Sequence, residues 1–531
     1  MPRFSTPTYL LRTVKSAVTR IVDKLCSCFS DDLPFFVLLF IINTYICFSV
    51  IFLEDTIHFA ISMLMFNYAV TCLLVLSCQL NKYVGRYILK PLFLIVGNAL
   101  LSINTYYICT YRSRLAMPII VGTNLNEVKE FVMMYFSWAT IITASVLLVF
   151  VSIILYVAIC KIKVRPSRCV LIVMSALSVI SFMSLIFNKD GRPKLYEIGG
   201  VANIAEFRYN PTYPKIATDI PLPAHIVTII GESFSLTHSS LYGYDKLTNP
   251  LLQEKLDDGD LIIFNKITTP ATSTSACFMY LLNTYKVGME EGYYFDCTNL
   301  IEVLDRADYH TAWISTQDES GIFNNISSGH HKICDESMFV TVNPDGTKYD
   351  GALLDWHITD SNKYQAVFYH LMGQHYMFCN RYPGEYELFG LCDYPQYTMK
   401  NRAGEMVAQY DNATLYNDYV VSSLIDKYRD TDAVVFYFPD HGLDIYDTEP
   451  NYCGHAKNTP ESQSICKKIP FMVYLSPLYQ QLRPELTERI KNAVNKEFCT
   501  DKFIYAAMDA AGLKFADNDD VVKYSLFSEP E

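Results

Sequence analysis

Five apolar runs crowd the first third of the chain, at 33–53, 57–78, 88–109, 133–160 and 169–187. Each is long enough to cross a bilayer as a helix, and no other structure without a closed barrel satisfies its backbone groups in lipid. Among the Lys and Arg residues only Lys90 falls inside a run. Five consecutive runs of this length exceed what the core of a water-soluble domain needs, so the chain is predicted to begin as a five-helix transmembrane domain.

The basic residues orient it. Arg3, Arg12, Lys15, Arg20 and Lys24 precede the first run, Lys82 and Arg86 lie before the third, and Lys161, Lys163, Arg165 and Arg168 follow the fourth. Basic connections stay on the cytoplasmic side, which places the N-terminus there and everything after Asn188 across the membrane. The first run is then expected to act as a signal-anchor. Residues 1–190 carry 16 Lys and Arg against 8 Asp and Glu, whereas the remainder carries 27 against 47. An exterior portion this acidic argues against nucleic-acid binding. Eight of the sixteen cysteines lie in it: Cys277, Cys297, Cys334, Cys379, Cys392, Cys453, Cys466 and Cys499. In an oxidising compartment such a set is expected to form several disulfides. No CxxC pair occurs among them, so a thiolate zinc site has little support.

Residues 189–224 are rich in Gly and Pro and read as a linker, giving a membrane domain over 1–188 and a catalytic domain over 225–531. Beyond the linker, apolar runs of strand length recur at 226–230, 261–267, 311–315, 366–371, 433–438 and 471–476. Helical patterns follow Thr274 and cover 410–428, 484–497 and 503–511. This alternation predicts an α/β domain with a mostly parallel central sheet.

Two strand ends carry chemistry. The run 226–230 ends in Gly231-Glu232-Ser233, and the run 433–438 ends in Pro439-Asp440-His441-Gly442. Carboxyl ends of parallel strands are where open α/β sheets place ligands. Between them lies a hydroxyl-rich loop, Thr268 to Thr274, that leads into an apolar helix. A threonine at such a position is either an N-cap or a nucleophile, and Thr272 and Thr274 both qualify. Coordination to Zn²⁺ would lower the hydroxyl pKa enough for attack on phosphorus. Two carboxylates, one imidazole and the nucleophile oxygen make a tetrahedral zinc shell. His375, in Met372-Gly-Gln-His, and His455, in Cys453-Gly-His, are further candidates just past strand or loop positions. Each residue taken singly has an ordinary structural reading; their joint occurrence at strand ends favours a divided metal site.

The chain resembles the phosphoethanolamine transferases of Gram-negative inner membranes, a group in the alkaline phosphatase/sulfatase superfamily that includes the mobile colistin-resistance enzymes. The resemblance rests on the five apolar runs, GES…LYGY…TNP at 231–250, the Thr-Ser-Thr loop at 272–274, GQH at 373–375 with RYP at 381–383, YDN…YND at 410–418, PDHG at 439–442 and GH at 454–455. It implies a sulfatase-like fold and a zinc-dependent ping-pong transfer. Thr274 would take phosphoethanolamine from phosphatidylethanolamine as a covalent adduct, release diacylglycerol and pass the group to lipid A or lipopolysaccharide core. By the same resemblance Glu232, Thr274, Asp440 and His441 are the zinc ligands, with a second zinc possible in the family. His375 and His455 contact the transferred group, and Thr123 and Glu127 line the lipid headgroup site. The enzyme would act as a monomer, multi-pass in the inner membrane, with its catalytic domain in the periplasm.

Departures from the family pattern bear on the acceptor. Pro270 stands where lipid A-modifying members carry one cysteine of a local disulfide, which leaves Cys277 without that partner. Ser235 replaces a common basic residue, Leu443 replaces a common acid, and Ile119 replaces an expected asparagine. The LYGY form is closer to members acting on lipopolysaccharide core sugars. Phosphoglycerol transfer is an alternative, as is sulfatase-like hydrolysis, although the C/S-x-P-x-R element of sulfatases is absent from the nucleophile loop. A metal-free membrane scaffold or lipid-binding protein is the alternative outside enzymes.

Overall fold

A computed structural model of the chain describes residues 32–46, 50–51, most of 67–111, 115–116, 138–161 and 214–528, the last apart from 219, 290–296, 318–326, 341–348, 358–363, 398–400, 451, 456 and 458. The chain divides into two compact units, Met1–Met117 with Tyr135–Ile198 and Pro118–Met134 with Gly199–Glu531.

In the first unit the apolar runs form helices α1 (Asp32–Ile46), α2 (Lys90–Tyr111, continuing a π-helical turn over Gly85–Leu89) and α3 (Trp138–Lys161). Among the described residues two segments, Gly85–Thr105 and Ala139–Val157, are long and apolar enough to cross a membrane. The side chains of Ile142, Val146, Phe150 and Ile154 on α3 point outward, as lipid-facing positions require. Polar atoms are paired inward: Ser152 Oγ on α3 donates to Asn98 Oδ1 on α2 at 3.1 Å. Lys90 pairs with Asp32 at the start of α1, so the lone basic residue within the apolar runs is neutralised. The fifth run and most of the linker lie outside the described residues.

The second unit is built on seven strands: β1 (His225–Gly231), β2 (Leu261–Ile263), β3 (His310–Ser315), β4 (Glu336–Phe339), β5 (Gln365–His370), β6 (Ala433–Pro439) and β7 (Met472–Leu475). Their order across the sheet is β2-β7-β6-β1-β5-β3-β4. Only β7 is reversed, pairing antiparallel with both neighbours. All six expected strands are present. The run at 261–267 stops at Ile263, and Ile267–Thr268 pairs separately with Phe498–Cys499. Sequence patterning missed β4, whose Glu-Ser-Met-Phe lacks an apolar stretch.

Side chains alternate along each strand, so both faces of the sheet are covered. Ile226, Ile230, Trp313, Phe368 and Phe436 pack with α6 (Leu300–Arg306) and α8 (Phe503–Ala510) on one side. Val227, Ile229, Val367, Tyr369 and Val435 pack against Val420, Val421 and Leu424 of α7 (Asn401–Asp426) on the other. Two shorter helices complete the parts used below, α4 (Pro250–Asp257) and α5 (Thr274–Phe278). The result is a three-layer α/β/α domain.

The disulfide expectation is corrected: Cys277, Cys334, Cys392, Cys466 and Cys499 are unbridged thiols. Their sulfurs are used otherwise. Cys334 Sγ donates to His330 O, Cys466 Sγ to Gly454 O, and Cys277 Sγ meets Thr269 Oγ1 at 3.1 Å.

Candidate metal and nucleophile site

Strands β1 and β6 are adjacent, parallel and in register, with Gly231 opposite Pro439. The next residue on each chain is therefore Glu232 beside Asp440, and Asp440 N donates to Gly231 O at 3.0 Å. Register alone converts two acidic strand ends, 208 residues apart in the chain, into one site. Ser233 adopts the left-handed conformation at φ 57, which turns the chain sharply after Glu232. That strain is offset locally, since Ser233 N donates to Asp440 Oδ1 at 3.4 Å and Ser233 Oγ to Glu232 Oε1 at 2.7 Å.

Around this seam four groups converge. Thr274 Oγ1, at the first position of α5, donates to Glu232 Oε2 at 3.0 Å and lies 3.4 Å from His441 Nε2. His441 Nε2 is 3.3 Å from Glu232 Oε1 and 3.7 Å from Asp440 Oδ2. His441 Nδ1 donates to Gly442 O at 2.8 Å, which aims Nε2 at the three oxygens. Asp440 Oδ1 accepts from His441 N at 2.7 Å, while Oδ2 is buried with no hydrogen bond.

The titration of these groups shows their coupling. Burial disfavours the His441 cation, but Asp440 and Glu232 outweigh it and raise its pKa to about 9. Burial likewise opposes ionisation of Glu232, yet His441 holds it well below the usual carboxylate range. Asp440 is pushed up by burial and by the Glu232 charge. His441 Nε2 and the carboxylate oxygens of Glu232 and Asp440 lie close enough together to share a divalent cation. A tetrahedral site with bonds of about 2.0–2.1 Å has ligand–ligand edges of about 3.3 Å. The separations found, 3.0 to 3.7 Å, bracket that value. With an orphaned carboxylate oxygen and a correctly aimed imidazole, Glu232, Asp440, His441 and Thr274 fit a cation.

Both remaining histidines border this group. His375 sits on the turn after β5; Arg381 Nε donates to His375 O and Arg381 Nη2 to Tyr376 O. His455 follows the two-residue strand Cys453–Gly454, which pairs with Asp444–Ile445 and returns the ring to 4.7 Å from that of His441. Burial lowers His375 to about 4 and His455 to about 3, so both are neutral at pH 7. Thr272 presents its backbone to His455, whereas Thr274 presents its hydroxyl to Glu232; of the two threonines the structure puts Thr274 at the centre. The helix after it is one short turn, less than the apolar pattern implied. Thr123 and Glu127 lie outside the described residues.

Sequence reasoning overlooked Gln317. Its Nε2 donates to Leu371 O at 2.9 Å and to Glu232 Oε2 at 3.3 Å. It stands two residues past the end of β3, so the strand-end rule that found Glu232 and Asp440 could have found it. Asp350 was missed as well: its carboxylate accepts from Met372 N and Gly373 N, each at 2.8 Å, and shapes the turn that carries His375.

The chain belongs to the sulfatase family: a family profile described as Sulfatase matches residues 224–513. Within it, the chain is 28% identical over 302 residues to phosphoethanolamine transferase EptC of Escherichia coli O18:K1:H7, covering 55% of this chain and 52% of that protein. The chain thus matches about half the length of that curated relative. The periplasmic domain of E. coli EptC, solved as a complex with Zn, shares the fold with TM-score 0.51 and 24% identity over 60% of this chain and 90% of that one. The integral membrane lipooligosaccharide phosphoethanolamine transferase A of Neisseria meningitidis shares it with TM-score 0.59 and 17% identity, covering 91% and 96%.

Proposed function

We propose that this chain is a zinc-dependent phosphoethanolamine transferase. In this reading five N-terminal helices anchor it in a Gram-negative inner membrane and the catalytic domain lies in the periplasm. The observation that carries the reading is Thr274 Oγ1, held within 3.4 Å of both Glu232 and His441 where β1 and β6 end side by side. The likeness to EptC supports the transferred group, and the zinc complex of that domain supports the metal. Residues 1–188, 189–224 and 225–531 are assigned to anchor, linker and catalytic domain.

Glu232, Thr274, Asp440 and His441 would hold the zinc ion. When bound, zinc supplies the positive charge that favours an ionised Thr274 hydroxyl and offsets charge building on the phosphoryl oxygens. Thr274 loses its proton and its Oγ bonds to the phosphorus of phosphatidylethanolamine, while the bond to the diacylglycerol oxygen breaks; that oxygen takes up one proton, so protons balance. In the second step a hydroxyl or phosphate oxygen of lipid A or lipopolysaccharide core bonds to the same phosphorus as the Thr274 Oγ–P bond breaks. Thr274 regains a proton, from the acceptor hydroxyl or, for an ionised phosphate, from water. His375 and His455, as neutral imidazoles, are assigned to hydrogen-bond the transferred group, and Thr123 and Glu127 to the donor headgroup. The enzyme is assigned as a monomer.

The test is to incubate the full-length protein with phosphatidylethanolamine and map adducts by mass spectrometry. One phosphoethanolamine on Thr274, lost in Thr274→Ala, is expected; an adduct on Thr272, or none, would overturn the assignment. A parallel incubation with phosphatidylglycerol tests the alternative donor, which a phosphoglycerol increment on Thr274 would identify. Envelope glycolipids compared with and without the protein then identify the acceptor.

A further inference from the structure

The nucleophile loop contains a second buried hydroxyl that the transfer step leaves unused. Thr269 is 2% exposed, and its Oγ1 donates to Asp440 O at 2.6 Å. With its proton so committed, the same oxygen can only accept from Cys277 Sγ, 3.1 Å away on α5. Cys277 is fully buried, and the amides of Ala271 and Ser273 face its sulfur. One hydroxyl thus joins the strand end that bears Asp440 and His441 to the helix that bears Thr274.

The frame around it is rigid. Thr269 N donates to Lys467 O at 2.8 Å and Gly442 N to Cys466 O at 2.7 Å, so both sides of the junction are fixed to consecutive carbonyls of one segment. Gly442 lies close against that segment, since a Cβ added there would meet Ile465 O at 3.0 Å. The Asp440–His441 peptide is held on its amide sides by Gly231 O and Asp440 Oδ1, and its carbonyl is tied toward α5 by the Thr269 hydroxyl.

We infer that Thr269 is a positioning residue for the metal and nucleophile site, its hydroxyl holding Asp440 and Thr274 in register through Asp440 O and Cys277 Sγ. This rests on the transferase reading for its kinetic consequence but not for its structural one. A displacement of about 1 Å at such a site is enough to cost roughly a hundredfold in rate.

The test uses full-length protein in detergent, comparing the near-isosteric Thr269→Val with Thr269→Ser, which keeps the hydroxyl. In Thr269→Val, zinc affinity measured by chelator competition should fall about tenfold or more, as for a lost buried hydrogen bond. Amide exchange in metal-free protein should rise about tenfold at 270–278 and 437–443 and stay unchanged elsewhere in the catalytic unit. Adduct formation should slow roughly 10- to 100-fold with KM within about twofold. Thr269→Ser should stay close to wild type in all three. Wild-type zinc affinity and exchange in Thr269→Val would overturn the inference, as would equal damage in Thr269→Ser or a rise in exchange across the whole unit. If Thr269→Val does not fold, Cys277→Ala takes its place: raised exchange at 270–278 with weaker zinc binding supports the clamp, and wild-type behaviour refutes it. A wild type that forms no adduct would refute the transferase reading, while the zinc and exchange measurements would still judge the clamp.

Discussion

At the scale of single residues, the site depends on backbone placed where side chains leave no slack. Gly373 lies on the turn after β5 with φ +47, and a Cβ there would come within 2.8 Å of both Glu232 N and Glu232 O. Neither neighbour can yield without moving Glu232, the first residue of the candidate metal site. Gly373→Ala is therefore expected to cost about 1–3 kcal/mol in urea unfolding and to lower the zinc-to-protein ratio. A variant with wild-type stability and full metal content would show that this turn does not press on Glu232. Ser235 and Leu443, which depart from the family pattern, are both fully buried. Ser235 Oγ bonds Thr237 Oγ1 at 2.8 Å and closes its turn, a place with no room for a basic side chain.

At the scale of elements, α7 explains two motifs that marked the family without revealing their use. Besides its apolar contacts with the sheet it buries a run of polar side chains from Asp411 to Asp418. Tyr410 OH donates to Ser233 O and accepts from Ser235 N, fixing the turn after Glu232. Asp411 Oδ1 bonds His238 Nδ1 at 2.7 Å, and Asp411 also accepts from Tyr244 and Tyr394. Asp418 caps α4, accepting from Leu251 N at 2.8 Å and Leu252 N at 3.0 Å. The segments 231–250 and 410–418 are thus two halves of one scaffold that steadies the Glu232 turn. Asp418 carries a testable pH dependence. Burial raises its pKa to about 7 against the opposing pull of the two amides. The folded protein then binds this proton more tightly than the unfolded chain does. The contribution to stability is complete below about pH 4 and is lost as pH rises through 7. Asp418→Asn should gain on the wild type between pH 5 and pH 8 in denaturation midpoint, by about 3 kcal/mol of relative stability. Parallel curves for the two proteins would contradict this.

At the scale of the whole molecule, the charge pattern makes a prediction about sidedness. The cytoplasmic reading of 161–168 and the exterior reading of everything past Asn188 are tested by reporter fusions. A phosphatase that works only after export should be active when fused at the C-terminus and inactive when fused just after Lys161. The opposite pattern, or equal activity at both points, would reject the five-span topology. The acidic balance beyond residue 190, 47 acidic against 27 basic residues, belongs to the portion that this topology places outside the cytoplasm.

The sequence by itself determined what is local or periodic. Apolar length marked the helices Lys90–Tyr111 and Trp138–Lys161, apolar runs marked six of the seven strands, and acidic residues following those strands marked Glu232 and Asp440. These are legible because each depends on neighbours along the chain. The disulfide expectation failed because pairing depends on where sulfurs meet in space, and Cys277 meets a threonine. Only the tertiary structure decided that β1 and β6 lie side by side in register, which brings Glu232 to Asp440. It brought the hydroxyl of Thr274, which the resemblance had named, to Glu232, added Gln317 and Asp350, and placed Thr269 between Asp440 and Cys277. Register and hydrogen-bond geometry across strands are properties of contact between distant segments, and no window along the chain contains both partners.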